Sequence, residues 1–231
     1  MRLETKGLEK WYFRGRAGSN RFFAVQKAAV TIEPGRVTVL MGRSGSGKTT
    51  LLQMMAGLLR PDGGSVLLDD QDLYALSDKD LCALRSTHFG LIPQGADLLP
   101  HLTVMENILL PLALSGACTK EKEQELTHKA EELLEQLSIR DLSGVRGGEL
   151  SGGEKRRVCV VRALLGSPEV ILADEPTSDL DDANVKLVLG LLKKEAEQGK
   201  SVFLVTHDRE ALSICDELYR MDGGILAPEK M

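Results

Sequence analysis

The chain has 231 residues, 42% hydrophobic and 27% charged, which suits one large domain or two close lobes around a substantial core. A net charge of −5 argues against general nucleic-acid binding, and no apolar run approaches the roughly 20 residues that cross a bilayer. The opening "MRLETKGLEK" holds no apolar segment of the signal-peptide kind. Cys82, Cys118, Cys159 and Cys215 lie far apart with no C-x-x-C, so the thiols are expected buried or half-buried, in a reducing cytoplasm.

Along the chain, short apolar runs alternate with amphipathic helix patterns, the rhythm of an α/β protein with a parallel sheet. The stretch "FFAVQKAAVTIEPG" reads as an antiparallel or edge strand. It is followed by a buried strand, "VTVLMG" (37–42), by the glycine-rich "GRSGSGKTT" (42–50), and by a helix, "TTLLQMMAGLLR". "GSVLLDD" reads as a second flanking strand and "FGLIPQ" (89–94) as a buried one. Residues 95–162 carry only helix patterns, "TVMENILLPLAL", "TKEKEQELTHKAEELLEQL" and "VCVVRALLGS", and read as a helical subdomain inserted into the α/β core. In the middle pattern Leu126, Ala130, Leu133, Leu134 and Leu137 share a face, with Glu125 and Lys129 expected to pair outward at i, i+4. The last buried strands are "EVILAD" (169–174) and "SVFLVTH" (201–207), and "ELYRMDGGIL" reads as antiparallel or edge.

"GRSGSGKTT" fits G-x-x-x-x-G-K-[ST] between a strand and a helix, the context in which backbone N–H groups wrap phosphates. Its nine residues, Gly42, Arg43, Ser44, Gly45, Ser46, Gly47, Lys48, Thr49 and Thr50, are the candidate phosphate cradle. Lys48 places a charge at the β/γ oxygens, and Thr49 offers a hydroxyl to Mg²⁺. Asp174 ends an apolar strand and is positioned to serve the metal. The adjacent Glu175 can orient and deprotonate an attacking water. Gln94 and His207 say little singly. Gly42, Gln94, Asp174, Glu175 and His207 all fall at the carboxyl ends of predicted strands, the edge where open α/β sheets bind ligands. Gln94 can touch the metal and the water, and His207 can donate to a γ-phosphate. Together they make a nucleotide hydrolysis site. In "ELSGGEKRR" (149–157), Ser151 and Glu154 have capping-box spacing, yet the box does not explain Gly152 and Gly153, each costing roughly 1 kcal/mol against alanine in a helix. Two bare glycines at a positive helix end suggest an anion approaching the backbone.

In order, "GRSGSGKTT", "IPQ", "LSGGE", "VILADE", "SDLD" and "THD" resemble the nucleotide-binding subunit of ATP-binding-cassette transporters over nearly the whole chain. The resemblance implies a P-loop, RecA-like core (1–94 and 163–231) with an antiparallel β edge and a helical subdomain (95–162). It implies ATP and Mg²⁺ as ligands, with Thr49, Gln94 and Asp174 on the metal. It also implies a head-to-tail homodimer in which Ser151, Gly152 and Gly153 of one subunit close on the ATP of the other, with Asp179 at the same interface. The commoner signature ends in glutamine, where this chain has Glu154, which keeps the capping box. In the family an aromatic near the N-terminus stacks on the base. Here "LEKWYFRG" offers Trp11, Tyr12 and Phe13, spacing favours Tyr12, and stacking alone leaves GTP open as a substrate. "LIPQGADLLPHLTVMENILLPLAL" and "LADEPTSDLD" look like the lipoprotein-release, macrolide-efflux and cell-division branch, although "TSDLD" departs from its common "TGNLD". The expected partner is an integral membrane permease on a separate chain, with no nucleic acid and a location peripheral to the cytoplasmic face of the membrane. A nucleic-acid or ribosome clamp competes, without the coiled coils or second cassette usual there. So does a P-loop kinase or GTPase, without an N-K-x-D motif.

Overall fold

The computed structural model describes residues 1–14, 20–116, 119 and 121–230, with the backbone alone at Arg14 and Asn20. Cys118 lies outside these residues.

The chain opens with a long hairpin, β1 (Leu3–Arg14) and β2 (Asn20–Ile32), and then enters β3 (Val37–Met41), all five residues of which are buried. Helix α1 (Lys48–Met55) follows the glycine-rich loop, then β4 (Gly63–Leu68), β5 (Gln71–Asp72), α2 (Asp78–His88) and β6 (Phe89–Ile92). Helices α3 (Val104–Leu114), α4 (Glu123–Gln136) and α5 (Gly152–Leu164) come next. The chain finishes with β7 (Val170–Asp174), α6 (Asp182–Glu197), β8 (Ser201–Val205), β9 (Glu217–Asp222) and β10 (Ile225–Glu229). Helix α1 is shorter than its apolar pattern: the chain turns left-handed at Gly57 (φ +66°), and the Leu58 and Leu59 N–H groups both donate back to the Gln53 carbonyl.

The ten strands among the described residues lie in one sheet of order β5-β4-β1-β2-β10-β9-β3-β8-β7-β6. Strands β6, β7, β8, β3 and β9 run parallel, so the segments that leave the tops of β3, β6, β7 and β8 emerge on one edge. The other half is antiparallel, and the two halves meet at a single parallel residue pair, Ile225 with Gln26. Strand β9 is therefore not an edge. It pairs with β3 through Thr38↔Glu217 to Met41↔Arg220, and its hairpin partner β10 carries it into the middle of the sheet.

Two apolar layers cover the sheet. One packs α1 with Leu3, Leu8, Ile32 and Phe203; the other joins Val37, Val39 and Ile171 to α3, α4, α5 and α6 through Ile108, Leu134, Val161 and Leu192. The apolar face of α4 is inward as its pattern predicts, with Ala130, Leu133, Leu134 and Leu137 buried. Lys129 does not pair outward with Glu125. Its ammonium turns to the Leu165 carbonyl and the Ser167 hydroxyl just past α5, where backbone acceptors outcompete an exposed ion pair. The thiol expectation also needs correcting: Cys159 is buried and Cys215 half-buried, but Cys82 is exposed because α2 buries only Leu81.

Candidate functional site

The parallel strand ends open onto a cleft of about 1070 Å³. Gly42, Arg43, Ser44, Gly45, Ser46, Gly47, Lys48, Thr49, Thr50, Gln94, Asp174, Glu175, Asp179, His207 and Tyr12 all line it. Gly42 and His207, 165 positions apart in sequence, thus meet at one place because β3 and β8 are parallel neighbours.

The loop after β3 is shaped by what lies behind it. A Cβ on Gly42 would stand 2.3 Å from the Met221 carbonyl oxygen, and one on Gly47 2.0 Å from that of Ala24, with φ at Gly47 of +107°. These glycines let the loop sit down on β9 and β2, in addition to baring its N–H groups. Helix α1 then starts with no side-chain cap and no acid in its first turn, so its leading N–H groups remain available to an anion. The Lys48 ammonium is almost buried and donates to the carbonyls of Gly42 (2.8 Å) and Arg43 (3.0 Å), held back across its own loop.

Asp174 is 2% exposed, and one carboxylate oxygen, Oδ1, has no hydrogen-bond partner. Burial pushes its carboxyl above the usual carboxylate range, while the neighbouring Thr49 hydroxyl pulls the other way. An orphaned carboxylate oxygen beside a threonine hydroxyl is a donor set for a hard cation such as Mg²⁺, which takes one or two protein oxygens and completes its shell from phosphate and water.

Glu175 sits just past β7 with φ of +51°, a left-handed conformation unusual for this residue type. Its carboxylate accepts from the Thr206 hydroxyl (3.1 Å) and meets the His207 Nδ1 at 2.9 Å. The ring of His207 is otherwise largely exposed, leaving Nε2 to solvent. Neither the strain nor this pairing has a sequence signal, since both depend on β7 and β8 lying side by side.

Ser151, Gly152 and Gly153 do not line the cleft. The capping box is present: Ser151 N–H donates to the Glu154 carboxylate (2.7 Å) and Glu154 N–H to the Ser151 hydroxyl (3.4 Å). The Ser151 hydroxyl (2.7 Å) and the Ser151 N–H, both donating to the Glu154 carboxylate, hold its carboxyl below the ordinary value. A Cβ on Gly153 would stand 3.0 Å from the Asp179 carbonyl oxygen, so this glycine has a packing reason inside the chain. Gly152 has none, its nearest neighbour being 3.9 Å away. The N–H groups of Gly152 and Gly153 have no partner among the described residues.

Of the three N-terminal aromatics, only Tyr12 faces the cleft, with Phe22 beside it across the hairpin at 5.9 Å between ring centroids. Trp11 stands under the Arg21 guanidinium (4.1 Å) and against the edge of Phe13, away from the cleft. Sequence reasoning missed Phe22, Phe23, Ala24, Arg156, Ser178, Gly223 and Gly224, which also line it. Hairpin register could have found Phe22; Arg156 was hidden in the charge run "EKRR".

The ABC transporter family model matches residues 25–178. The lipoprotein-releasing system ATP-binding protein LolD of Blochmanniella floridana is 40% identical over 198 residues, covering 85% of this chain and 83% of that protein. The macrolide export ATP-binding/permease protein MacB 2 of Aeromonas hydrophila subsp. hydrophila is 37% identical over 222 residues, 96% of this chain but 33% of its own. The chain thus spans about a third of the length of that relative. Among solved structures, the dimeric post-hydrolysis state of the ATP-binding cassette MJ0796 bound to ADP and Pi has a TM-score of 0.90 at 31% identity, covering 99% of this chain and 98% of that one. With fold, strand-end residues and sequence in agreement, this chain belongs to the ABC transporter family and is one of its ATP-binding cassettes.

Proposed function

We propose that the chain binds and hydrolyses ATP and thereby powers an integral membrane permease carried on a separate polypeptide, in an export, lipoprotein-release or efflux-type system. No helix among the described residues is long and apolar enough to cross a membrane. The cassette would then sit at the cytoplasmic face of the membrane, peripheral to it through that partner. Residues 1–94 and 163–231 form its core, and 95–162 its helical subdomain.

Tyr12 stacks on the base, a contact that GTP can also make. Residues Gly42 to Thr50 hold the phosphates, with Lys48 exchanging two loop carbonyls for β/γ oxygens. Thr49, Asp174 and Gln94 hold Mg²⁺, which supplies charge neutralisation at the transferring phosphoryl group. Glu175 orients and deprotonates the water, and His207, braced by Glu175, presents Nε2 to the γ-phosphate. In a homodimer Ser151, Gly152, Gly153 and Asp179 complete the partner's site. The observation that carries this reading is the meeting of the phosphate loop, the orphaned Asp174 oxygen and the strained Glu175–His207 pair in one cleft.

The test is ATP turnover by the purified chain with Lys48→Ala and Glu175→Gln. Both should fall to a few per cent of wild type or less, and Glu175→Gln should retain ATP binding. Strong residual hydrolysis in Lys48→Ala would mean that the phosphate loop is misassigned.

A further inference from the structure

The most unusual charge in the cleft belongs to none of the motifs. Arg156, one turn into α5, is 4% exposed and lines the cleft with Gln94, Asp174 and Glu175. Its Nη1 donates to the Pro93 carbonyl (2.9 Å) and its Nη2 to the Gln94 carbonyl (2.7 Å). Its buried Nε–H has no partner. Burying a guanidinium costs several kcal/mol, so a residue that merely filled space here would be apolar. The two carbonyls it grips are consecutive and lie just past the last ladder pair of β6, Ile92 with Ala173. Beyond that pair the strand no longer dictates where the chain goes; the arginine fork does, through two charge-assisted bonds of fixed geometry.

We propose that Arg156 is a positioning residue for Gln94: it locks the backbone of Pro93 and Gln94 onto α5 and so fixes where the Gln94 side chain stands relative to Thr49 and Asp174. The neighbouring Arg157 has a different task, donating to the Leu137 carbonyl and the Asn184 side chain to hold α5 against α4 and α6. Arg156 is therefore the link by which α5, the helix that begins at Gly152, is tied to the strand-end residue Gln94. This inference rests on the assignment of Gln94 to the metal and the water in the proposed ATP site.

The test uses Arg156→Met, which keeps length and loses charge and donors, with Arg156→Lys, Gln94→Ala and the double variant Arg156→Met/Gln94→Ala. Backbone ¹⁵N order parameters at residues 94–97 are measured without nucleotide, and kcat and the Kd for ATP are measured with Mg²⁺. In Arg156→Met, the order parameters should fall from near 0.85, the rigid-backbone value, to below about 0.6, and kcat should fall about tenfold, while the ATP Kd moves less than threefold. Arg156→Lys, keeping one bond at a time, should lie between. Because the arginine acts through Gln94, the double variant should be no slower than Gln94→Ala alone. Unchanged order parameters in Arg156→Met would overturn the brace whatever the ATPase result. A double variant slowed by the product of the two single effects would overturn action through Gln94. Turnover surviving Lys48→Ala would instead strike the ATP reading, and the order parameters would still decide the brace.

Discussion

Helices α3 and α5 begin with the same device and use it differently. Thr103 and Glu106 form one capping box, Ser151 and Glu154 the other, and in each the N-cap N–H donates to the glutamate carboxylate at 2.7 Å. Between the box residues α3 has Val104 and Met105, whose N–H groups donate to the carbonyls of Val145 (2.8 Å) and Ser143 (3.0 Å). Val104 is fully buried. Between the α5 residues stand two glycines whose N–H groups have no partner among the described residues. Capping therefore does not require glycine. One helix start is consumed by its own fold, and the other is left with donors showing.

The largest effect should come from filling the bare end. Glu175→Gln protein is expected to be monomeric without nucleotide and to shift toward a dimer with ATP, read by size-exclusion chromatography with light scattering. Adding Gly152→Asp would place a carboxylate at the position proposed for the γ-phosphate of a partner subunit's ATP. With two symmetric sites each losing roughly 1.5–3 kcal/mol of charged hydrogen bonding, the dimer should be lost while ATP still binds. A double variant that binds ATP and dimerises like the single one would end the cross-subunit role of that helix start.

The matching change in α3 tests the other half. Val104→Gly removes a buried side chain and adds a helix glycine, so chemical denaturation should show a loss of about 3 kcal/mol, with ATP-driven dimerisation intact. A loss under about 1 kcal/mol would mean that α3 does not depend on that anchor. Smaller still, Gly152→Ala should stabilise the nucleotide-free chain by up to about 1 kcal/mol, since nothing crowds its Cβ. Gly153→Ala should bring no such gain, because its Cβ meets the Asp179 carbonyl. Equal gains at both positions would erase that distinction.

The smallest effect is the one the two helices share. Capping bonds from Thr103 and Ser151 hold the Glu106 and Glu154 carboxyls below the ordinary glutamate value of 4.5. A lowered folded pKa means that each contribution is complete above that value and is lost as pH falls through the folded one. Ser151→Ala should flatten the drop in melting temperature between about pH 5 and 3. An unchanged slope would show that the α5 box contributes nothing to acid sensitivity.

What was legible in the sequence was chemistry attached to strand ends. "VTVLMG", "VILAD" and "SVFLV" are buried on both faces, so their apolar runs are continuous, and whatever follows them must emerge on the ligand edge. Strand β1 was not legible: "LETKGLEKWYFR" mixes charges with apolar residues, and its register slips at several points, Gly7 having φ of +60°. Strand β9 alternates like an edge and is made central only by its pairing with β3. Lys129 and Arg156 were misread or overlooked for one reason. A helical pattern ranks a charge against its own helix, whereas both side chains bond to backbone carbonyls supplied from elsewhere.

The single residue pair that joins the two halves of the sheet has a mechanical consequence. Tyr12 and Phe22 stand on the antiparallel side of that seam, and the phosphate loop stands on the parallel side. Ser46 and the Gly223–Gly224 turn, bonded to each other and to Gln26, lie over the junction. A nucleotide lying from Tyr12 to Lys48, as proposed, would bridge that junction like a rivet across a joint, so that base and phosphates, gripped at opposite ends, would clamp the two halves together.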